Sequence, residues 1–208
     1  MNKFGIVLPT IGRDSLLEAI NSVIAQTYSN WNLIVSWDWD DAHRVLFMGG
    51  FLPDDCRIIN LSQGNEKRSN DSGASARNYA MKYVPTDCDW ICYLDDDDIW
   101  HGDRLWKFNQ FIEDRKTWPD FKLFYSYADL YKLKHKSPRS SKKVLKRIGI
   151  VDNITCGGMC HTMDVFNKTK GWNPNNVEDH DLELYNEMRR YCGDDVLSSS
   201  TFDFIWRD

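Results

Sequence analysis

The 208-residue sequence predicts an α/β fold, a mostly parallel sheet flanked by helices. Apolar runs of about five residues, typical of strands buried on both faces, alternate with segments of helical periodicity over residues 1–115. This alternation is typical of doubly wound α/β proteins. Polar clusters directly follow several of the apolar runs, and parallel sheets bind ligands at the carboxyl ends of their strands. These clusters are therefore expected to converge on one crevice.

The elements of the first part of the chain follow from hydrophobic spacing. Predicted strands cover residues 4–8, 33–37, 57–61 and 90–94, and predicted helices cover 15–26, 72–83 and 103–114. Pro9 is expected to end the first strand, because proline cannot donate to the ladder. Ser15 and Glu18 have the spacing of a capping box at the start of the first helix.

The second part of the chain is less regular. Strands are predicted at residues 123–128 and 201–206, and a helix at 181–191. Residues 132–147 carry eight Lys or Arg in sixteen positions, with serine and proline among them, which predicts a mobile loop. No repeat or long linker divides the sequence, so residues 1–208 are predicted to be one domain, which could belong to a longer protein.

Composition and charge exclude several classes of protein. Twenty-six Lys and Arg against 31 Asp and Glu give a formal net charge of −5, which argues against a general nucleic-acid binder. The six cysteines form no CxxC pair and are predicted to be reduced thiols. Neither a signal peptide nor an apolar run approaching the ~20 residues of a membrane span is apparent, so a cytoplasmic location is expected.

Four consecutive aspartates, Asp95, Asp96, Asp97 and Asp98, follow the predicted strand at 90–94. We call them the acidic run. Adjacent carboxylates repel one another and cannot be buried without partners. Hard oxygen ligands suit Mg²⁺ or Mn²⁺, and such ions usually bind together with substrate phosphates. The acidic run therefore predicts a divalent metal site next to a phosphate-bearing substrate.

Several short motifs, in order along the chain, resemble those of the GT-A glycosyltransferases, particularly family 2. They comprise the opening strand, the end of the first helix, the second strand with its acidic end, a small-Arg-Asn motif, the acidic run and the two segments nearest the catalytic base of that family. These motifs lie at residues 6–10, 26–28, 33–38, 76–78, 93–98, 171–172 and 178–182. The resemblance implies the GT-A fold, a Rossmann-like mixed sheet flanked by helices. Residues 1–115 would form the nucleotide-sugar-binding half, and residues 116–208 a smaller acceptor and catalytic-base half.

The resemblance also implies an activity, the transfer of a sugar from a nucleotide diphosphate sugar to an acceptor hydroxyl, for example on a glycan. A hexosyl or deoxyhexosyl group, a UDP donor and an Mn²⁺ or Mg²⁺ ion are the expected components. The metal would bind to Asp97 and Asp95. The residues implied in nucleotide-sugar binding are Pro9, Thr10, Arg13, Asp38, Arg77, Asp95 and Asp96.

The acceptor hydroxyl needs a general base to remove its proton. The resemblance assigns this role to Asp179, with Glu178 and Asp181 as alternates. Direct displacement with one base implies inversion at the anomeric carbon. The competing interpretation is that these acidic residues only stabilise the N-terminus of the following helix.

The sequence departs from the family pattern at two places. Trp37 and Trp39 flank Asp38, and no histidine clearly completes a metal site, with His161 and His180 as weak candidates. Three other functions remain open at this stage. They are a sugar-phosphate nucleotidyltransferase, a metal-dependent nuclease, and a non-catalytic module that binds nucleotide sugars or glycans.

Overall fold

The fold is that of a computed structural model, which describes residues 1–39, 52–117, 121–135, 143–151, 154–192 and 197–207. In residues 127–135, 143–151 and 197–207 only the course of the backbone is described.

Within these residues nine strands form one mixed sheet. The strands are β1 (Phe4–Thr10), β2 (Trp31–Trp37), β3 (Ile58–Ser62), β4 (Trp90–Tyr93), β5 (Ile99–Trp100), β6 (Leu123–His135), β7 (Lys143–Val151), β8 (Met159–His161) and β9 (Leu197–Arg207). Their order is β3-β2-β1-β4-β8-β6-β9-β5, with β7 paired to β6. The four strands β3, β2, β1 and β4 are parallel, whereas β8 runs antiparallel to both β4 and β6.

Helices cover both faces of the parallel part of the sheet. They are α1 (Leu16–Ile24), α2 (Ala74–Met81), α3 (Arg104–Glu113), α4 (Met163–Phe166) and α5 (His180–Arg189), with a single 3₁₀ turn at Cys156–Gly158. One core cluster packs α1 and α3 against Phe4, Ile6 and Leu8 of β1. A second cluster packs α2 and α5 against Val7 and Ile34 on the opposite face. The prediction of a mixed α/β sheet flanked by helices is confirmed.

The parallel strands form because their residues can be buried on both faces. All seven residues of β1 are buried, as are six of the seven in β2. In this strand order β1 lies between β2 and β4, so the direction of winding reverses at β1. Such a reversal opens a crevice at the carboxyl ends of the strands, where doubly wound proteins bind ligands.

Two details of the first strand and first helix differ from expectation. β1 continues through Pro9 to Thr10, because its register with β4 ends at Val7 and proline is tolerated at such an edge position. The predicted capping box is wrong, since within the described residues the Ser15 side chain makes no capping hydrogen bond.

The basic stretch at 132–147 is not simply a loop. Its two flanks belong to β6 and β7, which pair antiparallel, with Leu133 opposite Leu145. Backbone pairing with a neighbouring strand satisfies the amides whatever the side chains are, and the charge pattern does not reveal it. The mobile-loop prediction is wrong for these flanks, and its centre at 136–142 lies outside the described residues.

All six cysteines are thiols, as predicted, and five of them are buried. Cys92 and Cys160 face each other across β4 and β8, with their sulfurs 3.3 Å apart. Across the described part of the chain, no helix combines the length and the apolar character needed to cross a membrane.

Candidate active site

A cleft of about 420 Å³ opens at the carboxyl ends of β1, β2 and β4. The loops after these strands and the loop before α2 form its walls. Its lining residues are Pro9, Thr10, Ile11, Arg13, Asp38, Arg68, Asn70, Asp71, Ser72, Gly73, Arg77, Asp95, Asp96 and Asp97. All seven residues expected to bind the nucleotide sugar are among them, together with the expected metal ligand Asp97.

Burial separates the four carboxylates of the acidic run. The side chain of Asp96 is only 1% exposed and accepts hydrogen bonds from Thr10 Oγ1 at 2.7 Å and from the Ile11 amide at 3.2 Å. Arg13 forms an ion pair with it from the solvent side. Asp98 is buried as well. Asp96 therefore fixes the loop after β1 to the end of β4, and its charge is compensated within the protein.

Asp95 faces a buried arginine. Arg77 Nη2 donates to Asp95 Oδ1 at 2.5 Å, and the thiol of Cys156 donates to Oδ2 at 3.1 Å. Burial alone would lower the pKa of Arg77, but the nearby carboxylates of Asp95 and Asp181 help to raise it overall. Arg77 is therefore a permanent positive charge beside the acidic run, and the side chain of Asp95 remains 30% exposed to the cleft.

Asp97 is the carboxylate with the least compensation. Its side chain is 40% exposed, and its cationic neighbour Arg13 lies at some distance, with Nε 3.7 Å from Asp97 Oδ2. Burial raises the pKa of Asp97, and the neighbouring Asp95 raises it further. A carboxylate held close to like charges in a cleft is suited to binding a cation.

The cleft residues fit a divalent ion whose remaining ligands come from the substrate and water. Nowhere in the described part of the chain do three or more His, Cys, Asp or Glu side chains form a group that could hold a metal. Asp95 and Asp97 nevertheless both line the cleft. Mg²⁺ is commonly held by one or two carboxylates, with phosphate oxygens and water supplying the other ligands. The donor set is therefore appropriate for a metal that binds with a pyrophosphate.

Asp38 lies buried at the end of β2 and is held by the loop that precedes α2. Ser69 donates to it twice, from Oγ at 2.5 Å and from its amide at 3.1 Å. Burial raises the pKa of Asp38 despite these hydrogen bonds. Each Asp38 carboxylate oxygen retains a lone pair that can accept a further hydrogen bond from a nucleobase. The expected contact with the nucleobase stays a prediction.

The loop at residues 68–73 was missed as part of the site. Asn70, Ser72 and Gly73 all have positive φ, of 54°, 53° and 83°, which is uncommon for the first two. Asp71 is buried and accepts from the amides of Gly73 and Ser75, so it fixes the start of α2. The signal was available in the sequence, since Asn, Asp, Ser and Gly before a helix indicate a tight turn and an N-terminal cap.

The second acidic segment, Glu178, Asp179 and Asp181, is divided by burial too. Glu178 and Asp179 are exposed, and Asp179 directly precedes α5. Asp181 is largely buried, and its Oδ2 accepts from the Cys156 amide at 2.7 Å. Burial would raise the pKa of Asp181, but His180 and Arg77 lower it overall. The structure thus brings Asp181 close to Arg77 and Cys156, while Asp179 and Glu178 lie outside the cleft lining. The assignment of the base among these three residues stays a prediction.

Cys156 was predicted only to be a reduced thiol, yet it connects both acidic segments. Its sulfur contacts Asp95 and Arg77, and its amide binds Asp181. Burial raises the pKa of the Cys156 thiol well above its usual value, so the thiol stays protonated and can donate. Gly158, at the end of the same turn, has no room for a side chain because a Cβ would lie 2.6 Å from the Ser126 carbonyl oxygen.

The weak histidine candidates for the metal are not supported. Both ring nitrogens of the buried His161 are engaged, one with the Tyr93 hydroxyl at 2.7 Å and one with the Thr162 carbonyl at 3.0 Å. Burial lowers the pKa of His161 to about 4, so it is neutral in the core. His180 is buried against Trp172, with its Nε2 atom 3.1 Å from Asp181.

Comparison with known proteins agrees with this geometry. The family model for glycosyl transferase family 2 matches residues 5–170, which is most of the chain. The chain belongs to glycosyl transferase family 2. The predicted membership of this family is confirmed.

Two relatives of the family 2 domain are informative. It is 35% identical over 105 residues to the UDP-Glc:alpha-D-GlcNAc-diphosphoundecaprenol beta-1,3-glucosyltransferase WfgD of Escherichia coli. It is 28% identical over 107 residues to the succinoglycan biosynthesis protein ExoW of Rhizobium meliloti strain 1021. These matches cover 48% and 50% of the chain but only 37% and 32% of the relatives.

Solved structures support the GT-A fold. Staphylococcus aureus TarS 1-349 has a TM-score of 0.73 at 12% identity, over 99% of this chain and 60% of that one. The mannosyltransferase PcManGT of Pyrobaculum calidifontis, in complex with GDP-Man and Mn²⁺, has a TM-score of 0.63 at 10% identity, over 99% of this chain and 56% of that one. At these identities the likeness shows the fold alone.

Proposed function

We propose that this family 2 domain transfers a sugar from a UDP-sugar to an acceptor hydroxyl, with inversion and with a divalent metal ion. The observation that carries the proposal is the single cleft that contains all eight residues expected to bind the nucleotide sugar and metal. WfgD is named for a UDP-Glc donor, TarS has been crystallised with UDP-GlcNAc, and PcManGT with GDP-Man and Mn²⁺. UDP is therefore the first donor nucleotide to test, and GDP the second.

The cleft suits a pyrophosphate because its charges are of both signs. Arg13 is about half exposed and lies at the cleft wall, where it can meet a phosphate oxygen. Asp95 and Asp97 would hold Mn²⁺ or Mg²⁺, which would offset the negative charge that develops on the leaving nucleotide. Arg77 holds Asp95 in place through their ion pair. Asp38 and the loop at 68–73 form the wall expected to contact the nucleoside.

The reaction requires one proton transfer from the acceptor. As the acceptor oxygen forms its bond to C1 of the sugar, the bond from C1 to the pyrophosphate breaks and its electron pair leaves with the nucleotide. The acceptor proton passes to a carboxylate, which we assign to Asp179 because it is exposed at the start of α5 and forms no ion pair with any described residue. Asp181 is the alternate, although its amide contact with Cys156 favours an anchoring role.

Calorimetric titration of UDP with and without Mn²⁺ tests the donor and metal assignments. Wild-type protein should bind UDP at least about tenfold more weakly without Mn²⁺, and Asp97→Ala should lose this metal dependence. Asp54→Ala removes an exposed carboxylate that precedes β3, at the amino ends of the parallel strands and therefore away from the cleft. This variant should behave as wild type. Equal affinity with and without metal in both wild type and Asp97→Ala would refute the assignment.

Hydrolysis of a panel of nucleotide sugars in the presence of Mn²⁺ tests whether the domain is an enzyme. Turnover of at least one nucleotide sugar is expected. Nucleotide binding with no turnover of any sugar would instead favour a non-catalytic binding module. Synthesis of a nucleotide sugar from a sugar phosphate and a nucleoside triphosphate would favour a nucleotidyltransferase.

A further inference from the structure

Asn78, next to Arg77 on α2, forms a two-point contact with a segment 94 residues away. Its Nδ2 donates to the Trp172 carbonyl at 2.7 Å, and its Oδ1 accepts from the Trp172 amide at 2.9 Å. Both ends of the side-chain amide therefore bind the backbone of one residue, as a neighbouring strand would. We call this contact the Asn78 clamp. Asn78 lies outside the cleft, and the proposed reaction gives it no role.

The segment on the other side of the clamp is shaped to receive it. Gly171 has a φ of 76°, in the left-handed region that favours glycine. A Cβ atom at this position would lie 2.6 Å from Asn78 Oδ1, well inside contact distance. The clamp is thus possible only with glycine here, and the Asn at 78 and the Gly at 171 are parts of one arrangement.

The clamp fixes the depth of the Trp172 indole, which is 1% exposed. The guanidinium of Arg77 lies 4.8 Å from the centre of its ring. Tyr93, at the end of β4, packs edge-on at 5.2 Å, and His180, at the start of α5, does so at 5.4 Å. One indole therefore contacts the arginine that holds Asp95, the strand that leads into the acidic run, and the residue between Asp179 and Asp181.

We propose that Asn78 is a positioning residue for the transfer reaction, which sets the distance between the Arg77–Asp95 ion pair and the first turn of α5. This inference rests on the proposed function. The donor pyrophosphate would bind near the Arg77–Asp95 ion pair and the base would lie beside His180, and both Arg77 and His180 contact Trp172. Loosening the clamp should misplace the base relative to the sugar while the nucleotide site stays intact. A misplacement of about 1 Å can cost about 100-fold in rate.

Two variants separate the clamp from simple packing. Asn78→Ala removes both hydrogen bonds, and Asn78→Asp keeps the volume but places an oxygen against the Trp172 carbonyl. Both should lower kcat for hydrolysis of the best UDP-sugar by about 10- to 100-fold, while the Kd for UDP with Mn²⁺ changes less than about twofold. Tyr79→Phe is the matched control on the same helix. Within the described part of the chain the Tyr79 hydroxyl contacts only that of Tyr83, so this variant should leave kcat and Kd unchanged.

Hydrogen exchange gives a readout that does not depend on activity. In Asn78→Ala the Trp172 amide and residues 178–182 should exchange faster than in wild type, and in Tyr79→Phe they should not. If wild type neither binds UDP nor turns over any nucleotide sugar, the proposed function fails, and this exchange experiment still tests the clamp. Unchanged exchange in Asn78→Ala, or a lower melting temperature with unchanged kcat for the folded protein, would overturn the inference. So would wild-type kcat in Asn78→Asp.

Discussion

The acidic run and the second acidic segment both contact Cys156, and each divides its carboxylates in the same way. One carboxylate is anchored by a backbone amide, Asp96 by Ile11 and Asp181 by Cys156. A neighbour at one or two positions away is left open to solvent, Asp97 in the first case and Asp179 in the second. The anchored carboxylates hold loops in place, and the open ones are available for chemistry.

The two regions differ in electrostatics. Asp97 has a raised pKa because it is partly buried among other carboxylates, so its charge is unfavourable until a cation arrives. Asp181 has a lowered pKa although it is more buried, because His180 and Arg77 stabilise its charge. The charge of Asp97 is therefore poorly compensated by its surroundings, whereas the charge of Asp181 is compensated within the protein.

The largest effect is expected from the open carboxylate of the second segment. Asp179→Asn keeps the shape of the side chain but cannot take a proton, so kcat should fall by about 10²–10⁴. The Kd for UDP with Mn²⁺ should stay close to that of wild type, because Asp179 lies outside the cleft lining. Steady-state kinetics and calorimetry on the same protein samples measure both.

Glu178→Gln is the matched control, since Glu178 is exposed and directly adjacent. It should keep most of the wild-type kcat. If Asp179→Asn instead turns over normally and Glu178→Gln or Asp181→Asn does not, the base is the residue whose change abolishes turnover, and the division into open and anchored carboxylates is wrong for this segment.

The next effect concerns stability at the acidic run. Asp96→Ala leaves the Thr10 hydroxyl and the Ile11 amide without their acceptor, so unfolding should become easier by about 2–4 kcal/mol. Asp97→Asn removes a repelling charge from a side chain that is 40% exposed, so its effect without metal should stay within about 1 kcal/mol. Urea denaturation of both variants without divalent ions measures the difference. Equal destabilisation by the two changes would contradict the assignment of Asp96 as the anchor.

Topology explains why so much of the cleft could be predicted from the sequence. Short apolar runs such as β1 and β2 are typical of strands buried on both faces, and the carboxyl ends of parallel strands must meet at one edge. The polar residues at or after the carboxyl ends of β1, β2 and β4, Thr10, Asp38 and Asp97, therefore had to lie together. No knowledge of side-chain contacts was needed for this part of the site.

Contacts between distant parts of the chain could not be predicted in the same way. The approach of Cys156 to Asp95, and of Asn78 to Trp172, depends on where β8 and α5 pack against the parallel strands. The pairing of β6 with β7 also depends on the partner strand, so a stretch rich in lysine gave no sign of it. Local composition carries little information about such interactions.

The smallest effect is the pH dependence of stability, which should have opposite sign in the two regions. The raised pKa of Asp97 means that its contribution is fully present below about pH 3.8 and is lost as the pH rises through the folded-state pKa. The lowered pKa of Asp181 means that its contribution is fully present above about pH 3.8 and is lost as the pH falls through the folded-state pKa.

Metal-free urea denaturation from about pH 3 to about pH 7 tests this difference in sign. Relative to wild type, Asp97→Asn should gain stability as the pH rises above about 3.8, by at most about 1 kcal/mol because solvent screens this side chain. Asp181→Asn should instead lose stability relative to wild type as the pH rises from about 3 towards about 4, since only the wild-type carboxylate gains from His180 and Arg77. Adding Mn²⁺ and UDP should reverse the advantage of Asp97→Asn, because the cation then compensates the wild-type charge. If the two variants follow parallel curves, the acidic run and the second acidic segment do not differ in their internal compensation, and the metal requirement loses its electrostatic basis.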